Sequence, residues 1–265
     1  MATINQAPQL PLIHTNHNGI TELMLNDPSK YNTLSAEVLG YLLKTLGDIA
    51  ADPKIRVVVI AARGKAFCSG HNLKQMRANH GQEYYEKLLA DCASVMQSIV
   101  ALPQPVIAKV QGLATAAGCQ LVASCDLAIA SKTARFATNG INNGLFCATP
   151  AVAIGRTIAR KQALEMLLMG EFIDADRAAA IGLINYAVEE PDLDNAVEKM
   201  ALELSRKSQY ALRLGKASFQ RQIEQPLDAA YRSATNDLVC NLLSDDGIEG
   251  ADAFIEKRRP HWNNK

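Results

Sequence analysis

Apolar side chains recur along the first sixty residues with two different spacings. Residues 19–27 alternate apolar and polar side chains, which predicts a half-buried strand that ends before Pro28. Residues 57–61 are continuously apolar, as expected of a strand that is covered on both faces. Between them, Ser35 is a typical N-cap for a helix over residues 36–52. The apolar face of that helix comprises Val38, Leu39, Leu42, Leu46 and Ile49. This part of the chain therefore predicts a β-α-β unit.

The same alternation of strands and helices continues to about residue 190. A helix over 84–102 is followed by a strand over 106–110, a turn and helix within 112–126, and a strand over 126–131. Two further helices are expected, one over 159–169 that ends at Gly170, and one that begins after Asp174 and ends at Gly182.

From about residue 191 onward only the helical spacing remains. We therefore predict an α/β protein with repeated ββα or βαβ units over residues 1–190 and a helical segment over residues 191–265.

Composition and charge exclude several classes of function. The 27 basic and 27 acidic residues give a formal net charge of zero, and no dense run of Lys and Arg appears. Such a chain has no basic surface pattern for a phosphate backbone, so nucleic acid is not expected as a partner. No GxGxxG or Walker sequence is present, which disfavours an unrelated nucleotide-binding domain. The six cysteines lack the paired spacing of a metal site, and we expect no metal and reduced thiols.

The N-terminal sequence MATINQAPQLPLIH resembles neither a signal sequence nor an Arg-rich transit peptide. No apolar run approaches the ~18 residues that a membrane-spanning helix needs. From these two observations we expect a cytoplasmic protein without a membrane partner.

Two loops rich in small residues follow predicted buried strands, one over residues 64–76 and the other over residues 112–120. In α/β folds, ligands gather where loops and helix N-termini meet beyond the carboxyl ends of strands. Backbone N–H groups in a first helical turn have no intrahelical partner, so two such loops could direct two donors at one oxygen. The alternative is that Ala114, Ala116, Ala117 and Gly118 only allow a helix to pack closely on a sheet.

At these loops the chain resembles the crotonase superfamily, also called the enoyl-CoA hydratase/isomerase family. Residues 66–73 are similar to its AFxxGxDL element, and residues 105–131 to its PVIAAVxGxxxGGGxELxxxCDxxxA element. Residues 134–137, 182–188 and 253–262 match later elements of the family in the same order. The variants GHNL and GLATAAGCQLVASCD are most similar to the branch of mitochondrial enoyl-CoA hydratase domain-containing proteins and their bacterial relatives.

The resemblance implies a fold and a ligand. The fold is a spiral of ββα units with a C-terminal helical segment that builds homotrimers, often paired as hexamers. The ligand is an acyl-CoA thioester, with CoA as part of the substrate and no further cofactor. The thioester oxygen would accept hydrogen bonds from the backbone N–H groups of His71 and Ala117.

By the same resemblance, a larger set of residues would contact the CoA moiety. Its members lie in the segment 30–34, in the first loop and near the C-terminus. They are Lys30, Tyr31, Thr33, Leu34, Phe67, Gly70, Asn72, Leu73, Lys74, Phe254 and Lys257. The alternative for the three lysines is an ordinary solvated position on the surface.

Hydratases of this family carry two glutamates that activate a water and deliver a proton. At the matching positions this chain has Gln120 and Gly140, neither of which is an acid or a base. Because general acid and base groups each contribute typically 10²–10⁴-fold, we expect weak hydration of simple enoyl-CoAs. Asn139 and Asn143 could bind a water, a small anion or a polar acyl group, or they could simply form a turn.

Four alternatives are open for the chemistry of a site that lacks both glutamates. Cys147 or Cys68 could act as a weak acid. An anion such as bicarbonate could occupy the space at Gly140, as in naphthoate-synthase-like members of the superfamily. The protein could catalyse a reaction that needs only the oxyanion hole, such as a decarboxylation. It could also bind acyl-CoA without catalysis, as a binding or scaffold protein.

Overall fold

The computed structural model describes residues 11–264. Its larger sheet has six strands in the order β1-β2-β3-β5-β7-β10, with β1 antiparallel to β2 and the other neighbours parallel. These strands are β1 Leu12–His17, β2 Ile20–Leu25, β3 Val57–Ala62, β5 Val106–Val110, β7 Leu127–Ser131 and β10 Tyr186–Val188. Much of the N-terminal sequence used above to predict a cytoplasmic location, residues 1–10, lies outside the described residues.

A smaller sheet lies beside the first, with the order β4-β6-β8-β9. Its strands are β4 Ala66–Cys68, β6 Leu113–Thr115, β8 Arg135–Ala137 and β9 Ile173–Asp174. The chain thus passes three times from a strand of the large sheet to a short strand of the small sheet and then into helices. This repeat is the predicted ββα organisation.

Helices alternate with the strands in the first half of the chain and predominate in the second half. They are α1 Ala36–Ala51, α2 Leu73–Ala78, α3 Gln82–Ala101, α4 Ala117–Ser124, α5 Ala148–Thr157, α6 Arg160–Met169, α7 Ala175–Ala180, α8 Leu193–Ser205, α9 Gln209–Gln222, α10 Leu227–Leu242 and α11 Asp245–Ile255. Within residues 11–264, none of these helices is both long and apolar enough to cross a bilayer.

The predicted α1 and α7 are confirmed together with their N-caps. The Ser35 hydroxyl accepts a hydrogen bond from the Val38 N–H at 3.3 Å, and all five predicted apolar residues of α1 are buried. At α7, the Asp174 carboxylate accepts from the Arg177 N–H at 2.8 Å. Such caps satisfy N–H groups that lack an intrahelical acceptor.

The two faces of β3 contribute to two different cores. Val58 and Ile60 belong to the main core, beneath α1 and α3, whereas Val57 and Val59 pack with Val197 of α8. This double coverage explains the continuous apolar run of β3.

Helix α8 lies in the predicted C-terminal segment, yet it covers one face of the large sheet. The division of the chain at residue 190 stays a prediction.

A nearly buried ion pair attaches α9 to the α/β part of the chain. Lys216 Nζ lies 2.7 Å from Asp126 Oδ2 and also donates to the carbonyl oxygens of Ile99 and Gln104 at 3.0 and 3.1 Å. Asp126 Oδ2 also accepts from the Val106 N–H at 2.7 Å. Because each charge is hydrogen-bonded several times, the pair is compensated despite its burial.

Candidate functional site

The two loops predicted to carry chemistry are in direct contact. Gly70 has a φ of +88°, and a Cβ on it would lie 3.0 Å from Ala116 Cβ and 3.2 Å from Ala117 N. The Thr115 hydroxyl donates to the Ser69 carbonyl at 3.1 Å, which joins the loops a second time. The backbone that leaves β4 is therefore held against the start of α4.

Gly118 permits the closest approach between these segments. A Cβ at this position would lie 2.0 Å from the Cys68 carbonyl oxygen, a distance that no side chain can occupy. Glycine is therefore required here by packing, as one alternative for this small-residue segment had predicted. Close packing at Gly118 is compatible with a ligand site at the same place, because this contact also sets the position of the first turn of α4.

The backbone N–H groups of His71 and Ala117 make no backbone hydrogen bond within residues 11–264. Ala117 is the first residue of α4, so its N–H lies at the positive end of the helix dipole. His71 follows Gly70 directly, and Gly70 touches Ala117 as described above. The structure thus brings together the two predicted donors, whereas their role as an oxyanion hole stays a prediction.

The backbone is strained beside these donors. Ala116, the N-cap of α4, has φ 49° and ψ −119°, a conformation that favours glycine. Its N–H donates to the Ala137 carbonyl at 2.9 Å, which holds the residue in place. Strain of this kind costs about 1–3 kcal/mol and clusters at functional sites.

Gln120 lies one turn into α4, on the same side as Ala117. The residue is only 4% exposed, and its buried Oε1 atom has no hydrogen-bond partner within the described residues. A buried amide oxygen without a partner is costly, since such atoms are nearly always hydrogen-bonded in folded proteins. Gln120 therefore has an unused hydrogen-bonding capacity at the site.

Gly140 does not leave the free space that the sequence suggested. A Cβ at Gly140 would lie 2.5 Å from the Leu145 carbonyl oxygen and 2.9 Å from Cys147 Sγ. The direction in which a side chain would project is thus already occupied by the following turn. This finding removes the sequence-based argument for an anion that replaces a side chain at Gly140.

The asparagines around Gly140 form a turn, as one of the two alternatives predicted. Residues Asn139–Asn143 form a 3-10 helix, and Asn143 is exposed. Neither Asn139 nor Asn143 has a side-chain hydrogen bond within residues 11–264. Asn142, between them, donates to the Gly170 carbonyl at 3.1 Å.

The segment predicted to contact CoA lies beside the first loop. The Leu34 N–H donates to the Gly70 carbonyl at 2.8 Å, and the Ser69 N–H donates to the Tyr31 carbonyl at 3.1 Å. Tyr31 is exposed, and Lys30 is exposed with its Nζ 2.9 Å from Asp27 Oδ2. The structure therefore brings segment 30–34 and loop 64–76 together on one surface.

Several of the predicted contact residues have structural roles instead. Phe67 and Leu34 are 0% exposed, so their side chains pack in the core and present no surface to a ligand. The Asn72 side chain caps α2 by accepting from the Gln75 N–H at 3.1 Å. Three other predicted contact residues are accessible at least in part. Leu73 and Lys74 are exposed, and Thr33 is half-buried.

The two C-terminal candidates lie at the end of α11. Phe254 is 85% exposed, and Lys257 has a left-handed φ of 55°. Helix α11 packs against α9 and α10. Within residues 11–264, the Lys257 amine has no hydrogen bond or ion pair, and no hydrogen bond joins it to segment 30–34.

The imidazole of His71 was overlooked in the sequence, where only its backbone was considered. Its Nδ1 lies 3.2 Å from the Leu34 carbonyl oxygen, and its Nε2 is enclosed without a hydrogen-bond partner. Burial lowers its pKa, a change that the bond to Leu34 partly opposes. The signal in the sequence was a titratable side chain directly after Gly70.

Across residues 11–264, no group of three or more His, Cys, Asp or Glu side chains is arranged to hold a metal ion.

Comparison with known proteins identifies the family of this chain. The enoyl-CoA hydratase/isomerase family matches residues 15–265. The chain belongs to this family. Enoyl-CoA hydratase domain-containing protein 3, mitochondrial, of Xenopus laevis is 46% identical over 97% of this chain and 87% of its own length. The human protein of the same name is 43% identical over 94% of this chain and 82% of its own length.

Solved structures of enoyl-CoA hydratase/isomerase family members confirm the predicted crotonase-like fold. An enoyl-CoA hydratase from Mycobacterium smegmatis matches with a TM-score of 0.94 and 49% identity, covering 96% of this chain and 99% of the other. The human enoyl-CoA hydratase domain-containing protein 3 matches with a TM-score of 0.92 and 43% identity, covering 95% and 100%. The resemblance to the domain-containing branch of the family is likewise confirmed.

The cytoplasmic location predicted from the sequence is wrong. The similar family members from Xenopus laevis, Rattus norvegicus and Homo sapiens are named as mitochondrial proteins, which conflicts with it. The prediction rested on the absence of a targeting pattern in residues 1–14 and of an apolar run long enough to span a membrane. An absence of that kind does not determine a compartment.

Proposed function

We propose that this family member binds an acyl-CoA thioester and polarises its carbonyl group. The observation that supports the proposal is the close approach of Gly70, the residue before His71, to Ala116 and Ala117, together with the absence of a backbone hydrogen bond from the His71 and Ala117 N–H groups within residues 11–264. Two preorganised donors stabilise an oxygen that gains negative charge, as when a thioester becomes an enolate. The CoA moiety would lie along segment 30–34 and α2, and no cofactor besides CoA is part of the proposal.

Water addition to simple enoyl-CoAs is expected to be slow. Gln120 can orient a water but cannot take its proton, and Gly140 has no side chain. Burial raises the pKa of the Cys68 and Cys119 thiols to about 12 and also raises that of Cys147, so these thiols stay protonated at neutral pH. The cysteines are therefore poor replacements for a glutamate.

A second candidate function is acyl-CoA binding without turnover. The uncharged Gln120 favours it, because its carboxamide can hold a bound group by hydrogen bonds without exchanging protons. Decarboxylation remains compatible with two backbone donors alone. The bicarbonate-assisted alternative loses support, because the Leu145 carbonyl and Cys147 occupy the position beside Gly140.

A homotrimer, with a pair of trimers as the larger form, is part of the proposal. The surfaces of α9, α10 and α11 carry many exposed large apolar side chains, more than an isolated chain ordinarily presents to water. They include Phe219, Ile223, Leu227, Tyr231, Leu238, Val239, Leu242, Leu243, Ile248, Phe254 and Ile255. Light scattering should therefore give three or six times the chain mass of 28.7 kDa, and a monomer at micromolar concentration would contradict this part.

Calorimetric titration with crotonyl-CoA, followed by mass analysis of the bound ligand, tests the proposed function. We expect saturable binding that exceeds the binding of free CoA, with most of the ligand recovered unhydrated after minutes. Binding without any conversion would favour the second candidate function. Failure of both crotonyl-CoA and free CoA to bind would overturn the proposal.

A further inference from the structure

A cleft separate from the candidate site lies at the far end of α1. Its volume is about 330 Å³, near the lower end of the ~300–1,000 Å³ range of small-molecule sites. The end of α1, the turns that precede β3 and β5, the first two turns of α9 and Asn264 line it. Helix α1 has 16 residues and is about 24 Å long, and its other end follows Leu34, which is hydrogen-bonded to Gly70 of the candidate site. The cleft is therefore remote from the proposed acyl-CoA site.

Two opposite charges line this cleft without pairing. On the α1 side, Asp52 is the C-cap of the helix, and its Oδ1 accepts from the Lys54 N–H at 2.9 Å. On the α9 side, the Arg213 guanidinium lies over the Tyr210 ring, 5.5 Å from the ring centroid. Within residues 11–264, neither Asp52 nor Arg213 forms an ion pair with the other or with a further group. The lining thus has a free carboxylate and a free guanidinium at separate places.

The ends of two helices reinforce these charges. Ala50 and Ala51 are the last residues of α1, where carbonyl groups lack intrahelical donors and carry a partial negative charge. Gln209 and Tyr210 are the first residues of α9, at the positive end of that helix dipole. The α1 side of the cleft therefore favours a cation, and the α9 side favours an anion.

The buried part of the lining has an unpartnered acceptor on the α1 side. Gln104 is 6% exposed, and its Nε2 donates to the carbonyl oxygens of Ile49 and Ile55 at 3.0 and 3.3 Å. Its Oε1 has no hydrogen-bond partner within the described residues. Because Nε2 is bonded to the last turn of α1, Oε1 lies beside that turn and adds to its negative polarity.

Much of the remaining lining is apolar. It includes the rings of Pro53, Pro103 and Tyr210. Surfaces of this kind favour burial of an apolar or aromatic group. A ligand that matches the whole cleft is therefore small and has an ammonium group, an anionic group and an apolar body.

We propose that this cleft binds a free α-amino acid with a large apolar side chain. The ammonium group faces Asp52 and the end of α1, the carboxylate faces Arg213 and the start of α9, and the apolar side chain packs on the rings of the lining. The inference is independent of the proposed acyl-CoA binding, because no residue of loops 64–76, 112–120 or 138–150 lines the cleft.

Calorimetric titration of the full chain with three related probes tests this inference. L-Phenylalanine carries both charges, phenethylamine has only the ammonium group, and 3-phenylpropionate has only the carboxylate. We expect phenylalanine to bind at least tenfold more tightly than either analogue. Failure of phenylalanine to bind would overturn the inference, and so would an analogue that binds as tightly as phenylalanine.

Substitutions of the two charged residues assign each charge of the ligand. In Arg213→Gln, phenylalanine should bind no more tightly than phenethylamine. In Asp52→Asn, which keeps an oxygen for the Lys54 N–H, phenylalanine should bind no more tightly than 3-phenylpropionate. The matched control is Arg232→Gln, because Arg232 is an exposed guanidinium of α10, paired with Asp228 outside the lining, and this variant should bind phenylalanine like the wild type. Full phenylalanine affinity in either cleft variant, shown to be folded by thermal unfolding, would overturn the inference.

Discussion

Gly118→Ala is expected to destabilise the protein by about 1–3 kcal/mol and to weaken its binding of acyl-CoA. The added Cβ would lie 2.0 Å from the Cys68 carbonyl oxygen and 2.6 Å from its carbonyl carbon, so backbone must move. The movement separates β4 from the first turn of α4 and thus displaces Ala117 from His71. Urea unfolding at fixed protein concentration measures the free energy, and calorimetry with butyryl-CoA measures the binding.

The matched control for this variant is Gly155→Ala. Gly155 is an exposed residue inside α5, and a Cβ there would meet nothing within 4 Å. Alanine is the better helix former, so this change should stabilise the protein by about 0.5–1 kcal/mol and leave acyl-CoA binding unchanged. Equal unfolding free energies for the two variants would contradict the proposed contact between α4 and β4.

Hydration of crotonyl-CoA is expected to be at least 100-fold slower than in a family member that carries both glutamates. Gln120→Glu should recover part of the rate, on the order of 10-fold or more, because it supplies one titratable group in the place of an amide. Burial at this position raises the pKa of a carboxyl group toward neutrality, which suits a general base. The rate is followed by the absorbance of the enoyl thioester.

The control for size at this position is Gln120→Met, which fills the same volume without a proton-transfer group and should show no gain. Adding Gly140→Glu to Gln120→Glu should not improve the rate further, because the Leu145 carbonyl occupies the space that the new side chain needs. A wild-type rate within tenfold of the glutamate-bearing relative would contradict the account. It would require a base and an acid other than the two replaced residues.

The long, strongly patterned elements could be predicted from the sequence. The apolar spacing of α1 and the unbroken apolar run of β3 each reflect burial on particular faces, and both are confirmed. The strands of the small sheet could not be found in this way. Strands β4, β6 and β8 have three residues each, which is too short for any periodicity to show. They pair because the chain returns to the same place in each ββα unit.

The candidate site was only partly predictable for a similar reason. The order of the motifs identified His71 and Ala117, and the structure places their loops in contact. A motif does not distinguish a ligand contact from a core residue, so Phe67 was predicted to face CoA although it is fully buried. The obstruction at Gly140 depends on the turn that follows it, and neither residue type nor spacing reveals that geometry.

Comparison of butyryl-CoA with its thioether analogue, S-butyl-CoA, tests the central claim most directly. The two ligands share CoA and chain length, but the thioether lacks the carbonyl oxygen that the N–H groups of His71 and Ala117 are proposed to hold. Two hydrogen bonds of about 1 kcal/mol each correspond to roughly 30-fold in affinity. We predict by calorimetry that the thioether binds at least tenfold more weakly, and equal affinities for the two ligands would contradict the oxyanion hole.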